Sequence, residues 1–326
     1  VVALTVAQLP DLVAAGMLAP LPTALLDDDF YPHLRAAVTV DGSPYCLPHT
    51  FHTLALFYNK TYFNAAELAY PDATWQWGDL QQAAATLTSV EDKRYGLVLA
   101  ADFSRWLAFL TQAGGAVTDN NARAMAIDSP EAAAALDFYV NLVLEGMAAV
   151  PSALDGRWPG EAFAGGRAAL AVEGNWLAPY LATNAADLVY GIAPLPTGPA
   201  GAATVSFATC YAIPQGAAEQ SAAQLLLTDL TAPEQLAAWL DVDNALPARR
   251  SLQAAWRAAH PDQAAFADQI AVAQEWRLPA GFQPWLADRN DELRRIFGGF
   301  IPTTGVLTQA ATAGAELLNA QSSADR

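Results

Sequence analysis

The sequence predicts an α/β fold. Extended and helical segments alternate along the whole chain, and Gly, Pro, Ser and Asp residues mark the junctions between them. With 326 residues, 53% of them hydrophobic, there is material for two cores of ordinary size.

The elements follow in order. "PDLVAAGMLAPL" reads as a short helix stopped by Gly16. "DGSPYCLPH" is a turn leading into a strand, and "PYCLPHTFHTLALFYNK" (residues 44–60) combines a breaker, two histidines and an apolar run. "ATWQWGDLQQAAATLTS" is a helix with Thr74 as its cap and Leu80, Ala84 and Leu87 on one face. "YGLVLA" is a strand, and "SRWLAFLTQAGG" is a helix ended by Gly114 and Gly115. "DSPEAAAALDFYVNLVLEG" carries the full set of helix signals: Ser129 as cap, Pro130 in the first turn, Leu136, Val140, Val143 and Leu144 on one face, Gly146 at the end. "GEAFAGGRAALAVEGNW" gives a helix, a glycine break, a strand and a sharp turn. "YGIAPLP" and "TVSFATCYAIP" are strands, and "EQSAAQLLLTDL", "PEQLAAWLD", "DELRRIF" and "VLTQAATAGAELLNA" are helices.

Composition excludes several classes. A net charge of −17 with only 16 scattered Lys and Arg argues against nucleic acid and against docking on anionic lipid by charge. The long uncharged run from Leu188 to Ala218 is broken by four prolines and four glycines and reads as loop, strand, loop. Cys46 and Cys210 are the two cysteines; a disulfide would fit an exported protein, but reduced, buried thiols are expected. No nucleotide-binding, zinc-protease or serine-hydrolase motif is present. Four histidines without a Cys/His cluster predict no metal site at His49 and His52, and no cofactor is expected. Glu161 and Glu173 could form a glycosidase pair; the plainer reading puts Glu161 on a solvent-facing helix and Glu173 at a strand end.

The ordered segments "GMLAPL", "YCLPHTFHTLALFYNK", "ATWQWGDLQQAAATLT", "AGG", "IDSPEAAAALDFY", "FAGGRAALAVEGNW", "YGIAPLPTGP", "SFATCYAIP", "LLLTDL" and "ALPARRS" together resemble the extracellular solute-binding proteins of sugar ABC importers, of the maltose/maltodextrin-binding type. The resemblance covers essentially the whole chain. It implies a two-lobed periplasmic-binding-protein fold of class II type, with a ligand cleft between lobes joined by crossing hinge strands. Residues 1–51 and 207–266 would form one lobe, and 52–206 with 267–326 the other. It also implies that a signal or lipoprotein peptide and a first strand-helix-strand unit precede "VVALTVAQLP". The expected role is capture of a sugar or oligosaccharide by hinge closure and delivery to a membrane permease, outside the cytoplasm, by a monomer without catalysis. The rivals are a non-sugar solute such as a peptide, polyamine or metal complex, and a carbohydrate-active enzyme.

A pyranose offers an apolar face and a rim of hydroxyls, so aromatic planes beside carboxylates, amides, Arg or His are the groups to seek. Of nine tryptophans, Trp176 in "EGNW" sits at a strand-to-helix turn, where α/β proteins bind ligands. The resemblance adds His52 on the crossing strand, with His49 near it. Asp102, Ser104, Arg105 and Trp106 match the family's second contact loop, Phe282 and Trp285 its late aromatics, and Phe207 and Tyr211 its return strand. Trp75 and Trp77 are expected in helix packing and Trp239 in the core.

Overall fold

The apolar run that follows Pro48 becomes the longest strand among the described residues, which in this computed structural model are 1–119, 122–240 and 242–324. In chain order the strands are β1 (Val2–Thr5), β2 (Thr39–Val40), β3 (Ser43–Pro44), β4 (Cys46–Asn59), β5 (Tyr95–Val98), β6 (Ala148–Ala149), β7 (Ala168–Gly174), β8 (Tyr190–Ala193), β9 (Thr204–Ala212), β10 (Leu246–Pro247) and β11 (Ala273–Glu275). The chain divides into two compact units. The first holds Val1–Thr53 and Val205–Ala280, the second Leu54–Thr204 and Gly281–Arg326. Both β4 and β9 therefore pass from one unit into the other within a continuous strand.

In the first unit β9 lies between β1 and β4, antiparallel to both, and β10 pairs the far edge of β4. Residues 48–53 and 206–211 run side by side: Pro48 faces Cys210, His52 faces Phe207 and Thr53 faces Ser206. A register shift between Pro48 and Phe51 accommodates the proline, which cannot donate to the ladder. The structure keeps residues 267–280 in this unit, whereas the resemblance implies an end at 266. The reason is hydrogen bonding: β11 pairs β9, the Trp276 N–H donates to the Ser206 carbonyl (2.7 Å), and Arg277 Nη1 donates to the Ala37 carbonyl (2.6 Å).

The cysteines are a correction. Cys46 and Cys210 form a disulfide, with 5.7 Å between their Cα atoms. Cys46 faces Ala212 in the ladder, so the two cysteines are diagonal neighbours on adjacent strands, within bridging reach. Sequence spacing could not supply that register.

In the second unit the remainder of β4 is antiparallel to β7 and β8, and β5 runs parallel between β7 and β6. Every residue of β7 is buried, as befits a central strand. The helix Pro130–Leu144 forms as its signals dictate, with Ser129 accepting from the Ala132 N–H (3.1 Å). Thr74 does not cap the next-lower helix. That helix is Trp77–Leu87, Gln76 is its N-cap with Asp79 accepting from the Gln76 N–H (2.8 Å), and Thr74 bonds Asp72 instead. Trp77 packs on Phe138 with centroids 4.3 Å apart, whereas Trp239, read as core, is 47% exposed.

Glu275 carries a pH dependence. Its carboxyl is the buried part of the residue: Oε2 accepts from the Ser206 hydroxyl (2.5 Å) and Oε1 from the Ala208 N–H (2.7 Å). Burial pushes its pKa up to about 8, against the lowering by these bonds and by Arg277. A carboxyl whose folded pKa exceeds its unfolded value contributes stability while protonated and loses it as pH rises through the folded pKa. His33, which burial pushes down to about 4, acts oppositely and only below its ordinary value of 6.5. Between pH 6.5 and 8, the unfolding free energy of the wild type from urea denaturation is expected to fall relative to that of Glu275→Gln, by up to about 1.4 kcal/mol per pH unit. Parallel curves for the two proteins would exclude this assignment.

Candidate functional site

Two groups of predicted residues emerge, one in each unit. In the second unit, β5 and β7 are neighbouring parallel strands, with Val98 opposite Ala171. Both end in turns into helices, at Asp102 before the helix Phe103–Gln112 and at Trp176 before the helix Leu177–Asn184. Two strand ends pointing the same way bring Asp102, Arg105, Glu173 and Trp176 together, the usual place for a site in a parallel sheet.

Glu173 is at the centre of this group. Its carboxylate is fully buried and accepts from Trp176 Nε1 (2.8 Å), from Arg105 Nη2 at both oxygens (3.3 and 3.2 Å) and from the Gly174 N–H (3.3 Å). Burial raises its pKa, while Arg105 and the hydrogen bonds lower it. Arg105 is 19% exposed, pairs also with Asp102 (3.8 Å), and holds its guanidinium 5.5 Å from the Trp176 ring centroid. Asp102 caps its helix by accepting from the Ser104 N–H (2.8 Å) and the Ser104 hydroxyl. Trp176 is half-buried, and its ring lies across Gly174: a Cβ on that glycine would stand 2.2 Å from the indole. Only glycine permits this approach.

In the first unit, His52 and Phe207 are register partners and both are half-buried, as is Tyr211 two pleats along β9. Such directly opposed residues share one face of the sheet. His49 is buried, with its ring 4.7 Å from Tyr211 and 5.3 Å from Trp239, and burial lowers its pKa. It packs rather than presents a polar edge.

Other predicted residues fall into the core. Trp106 is 1% exposed, Trp285 2% and Phe282 0%, so none offers a face to a ligand. Phe103 joins them, edge-on to Trp106 (5.1 Å) and to Trp285 (5.3 Å), and Trp285 Nε1 donates to the Ala310 carbonyl (2.8 Å). The helix Phe103–Gln112 turns 103, 106 and 110 inward at helical spacing, leaving Arg105 on another face. Ser104 is buried and serves the helix cap. Glu173, expected at a strand end, is not among the residues the sequence singles out as ligand contacts; its signal is a lone carboxylate closing the otherwise apolar run "AALAVEG". Among the described residues no cluster of metal-ligating side chains occurs. A cavity of about 680 Å³ beside Tyr31, Arg250 and Ile270 in the first unit contains none of the predicted contacts.

A model of the family described as bacterial extracellular solute-binding protein matches residues 1–268. The chain belongs to this family. Curated relatives of this binding protein include a binding protein of Brucella abortus, 24% identical over 199 residues, which are 59% of this chain and 48% of the relative. The match thus spans about half the length of that relative. Solved structures agree in fold. An ABC substrate-binding protein of Listeria monocytogenes, in complex with cycloalternan, superposes with a TM-score of 0.86 at 22% identity, covering 97% of this chain and 84% of the other. The GacH receptor of Streptomyces glaucescens, studied unliganded and with acarbose, gives 0.83 at 24% identity, with 97% and 83% covered. The sugar-binding protein MalE of Xanthomonas citri gives 0.83 at 22%, with 98% and 83% covered. These likenesses show the fold, a mixed α/β binding-protein architecture. No described helix is long and apolar enough to cross a membrane.

Proposed function

We propose that this chain is the substrate-binding component of an ABC importer, capturing a sugar or oligosaccharide and presenting it to a permease outside the cytoplasm. The observation that carries the reading is Trp176, an indole held half-buried at a strand end with Arg105 and Asp102 beside it. An aromatic plane next to a guanidinium fork and a carboxylate matches the apolar face and hydroxyl rim of a pyranose. His52 and Phe207 are the first unit's candidates for ligand contact. Solved relatives bound to cycloalternan and acarbose support a saccharide over a peptide or polyamine. Binding without turnover fits the carboxylates: Glu161 is engaged by Arg157 (Nε to Oε1, 3.0 Å), and Glu173 is enclosed by Trp176 and Arg105. The disulfide fits an oxidising compartment. Closure, if it captures the ligand, would bend the chain where it changes unit, at 53/54, 204/205 and 280/281.

The test is a thermal-shift screen with maltotetraose, acarbose, D-tagatose, spermidine and tetra-alanine. A melting temperature that rises with saccharide concentration, and not with spermidine or peptide, is the expected result. A shift confined to spermidine or tetra-alanine overturns the sugar reading, and hydrolysis of maltotetraose by the protein overturns the non-catalytic one.

A further inference from the structure

Burying a carboxylate in the middle of a unit is unfavourable unless its partners repay the lost hydration, and an apolar residue of similar size avoids the cost altogether. Glu173 is the only charged residue of β7, and it is fully buried. Its hydrogen bonds are concentrated on the residues read above as ligand contacts. One carboxylate oxygen takes the Trp176 indole N–H at 2.8 Å and the Gly174 N–H at 3.3 Å, while both oxygens take Arg105 Nη2. The same residue thus restrains an aromatic plane and a guanidinium that sit 5.5 Å apart.

We propose that Glu173 is the positioning residue of the saccharide subsite, fixing the plane of Trp176 and the fork of Arg105 before ligand arrives. The proposal rests on the reading of Trp176 as a saccharide contact. A tryptophan at a strand end has several rotamers, and binding to one of them loses the entropy of the others. The indole hydrogen bond selects one orientation, and Gly174, having no Cβ, leaves room for the ring in it. Arg105 is held by the same carboxylate, so the two groups keep a fixed relation that a pyranose can meet without reorganising either. Asp102 pairs with the other terminal nitrogen of Arg105, Nη1, at 3.8 Å.

The test compares the wild type with Glu173→Gln, Glu173→Leu and Trp176→Phe in the whole chain. Glutamine can set its amide oxygen where Oε2 stands and still accept from the indole; leucine keeps the bulk and accepts nothing. The Trp176 indole N–H resonance, identified by its loss in Trp176→Phe, is followed by hydrogen exchange without ligand. Calorimetry with maltotetraose gives the affinity. In the wild type and Glu173→Gln the N–H is expected to be protected, with affinities within about threefold of each other; in Glu173→Leu exchange should quicken and affinity fall about tenfold. A merely structural role predicts instead a lower melting temperature for Glu173→Leu with indole protection and affinity retained, and that result overturns the proposal. Should Glu173→Leu not fold, the wild type decides by itself: an indole N–H exchanging as fast as that of a solvent-exposed tryptophan overturns it, and a protected one supports it. Failure of maltotetraose to bind the wild type counts against the sugar reading alone, because the exchange measurement requires no ligand.

Discussion

Trp176→Ala is expected to weaken saccharide binding by at least about thirtyfold, since truncating an aromatic anchor commonly costs about 2 kcal/mol or more of binding. Its melting temperature should fall only modestly, because the ring is half-buried rather than enclosed in the core. Trp106→Ala provides the contrast. That indole is 1% exposed and packed against Phe103, so its removal should cost about 3–5 kcal/mol of stability. Calorimetric titration with the strongest saccharide from the thermal-shift screen, alongside urea denaturation, separates the two. If Trp176→Ala unfolds as readily as Trp106→Ala yet binds normally when folded, Trp176 is a packing residue and the proposed subsite loses its plane.

Removing the disulfide is the second large effect. Cys46 and Cys210 are 164 residues apart, and a cross-link closing so long a loop restricts the unfolded chain by about 5 kcal/mol in the loop-entropy account, with about 2–5 kcal/mol usual in practice. Cys46→Ala/Cys210→Ala should therefore have a lower urea midpoint, and a reductant should lower the wild-type midpoint to match while leaving the variant unchanged. Titration of two thiols per chain in denatured, unreduced protein would show that the bridge is absent.

How much of this was legible in the sequence depended on how local the cause was. The helix Pro130–Leu144 follows from Ser129 and Pro130, which act within one turn, and the strand after Pro48 follows from its unbroken apolar run. Trp176 at the end of β7 was placed by the glycine turn before it. Trp106 and Trp285 were misjudged because which face of a helix is covered depends on another helix far along the chain; here Phe103 and Trp285 meet across the helices Phe103–Gln112 and Gln283–Phe297. The disulfide and the last change of unit depended on strand register and on the pairing of β11 with β9, which no short window contains. Glu173 was visible as a residue, but its partner Arg105 lies on the helix after a neighbouring strand.

The interleaving of the two units sets the order in which the chain can assemble. The first unit takes its early part from residues 1–53 and the rest from 205–280, so its sheet cannot close until β9 has been made and delivered. During vectorial synthesis, Cys46 emerges long before its partner and has no Cys210 to pair with while residues 54–204 are made. Contacts this distant in sequence form slowly, because the intervening chain must be ordered or looped out first. Residues 54–204 thus have the earlier opportunity to collapse, and β4, half of which belongs to that segment, would carry its N-terminal half as an open edge awaiting β9. Such an edge is the part of the nascent chain most open to wrong strand pairing until the late segment arrives.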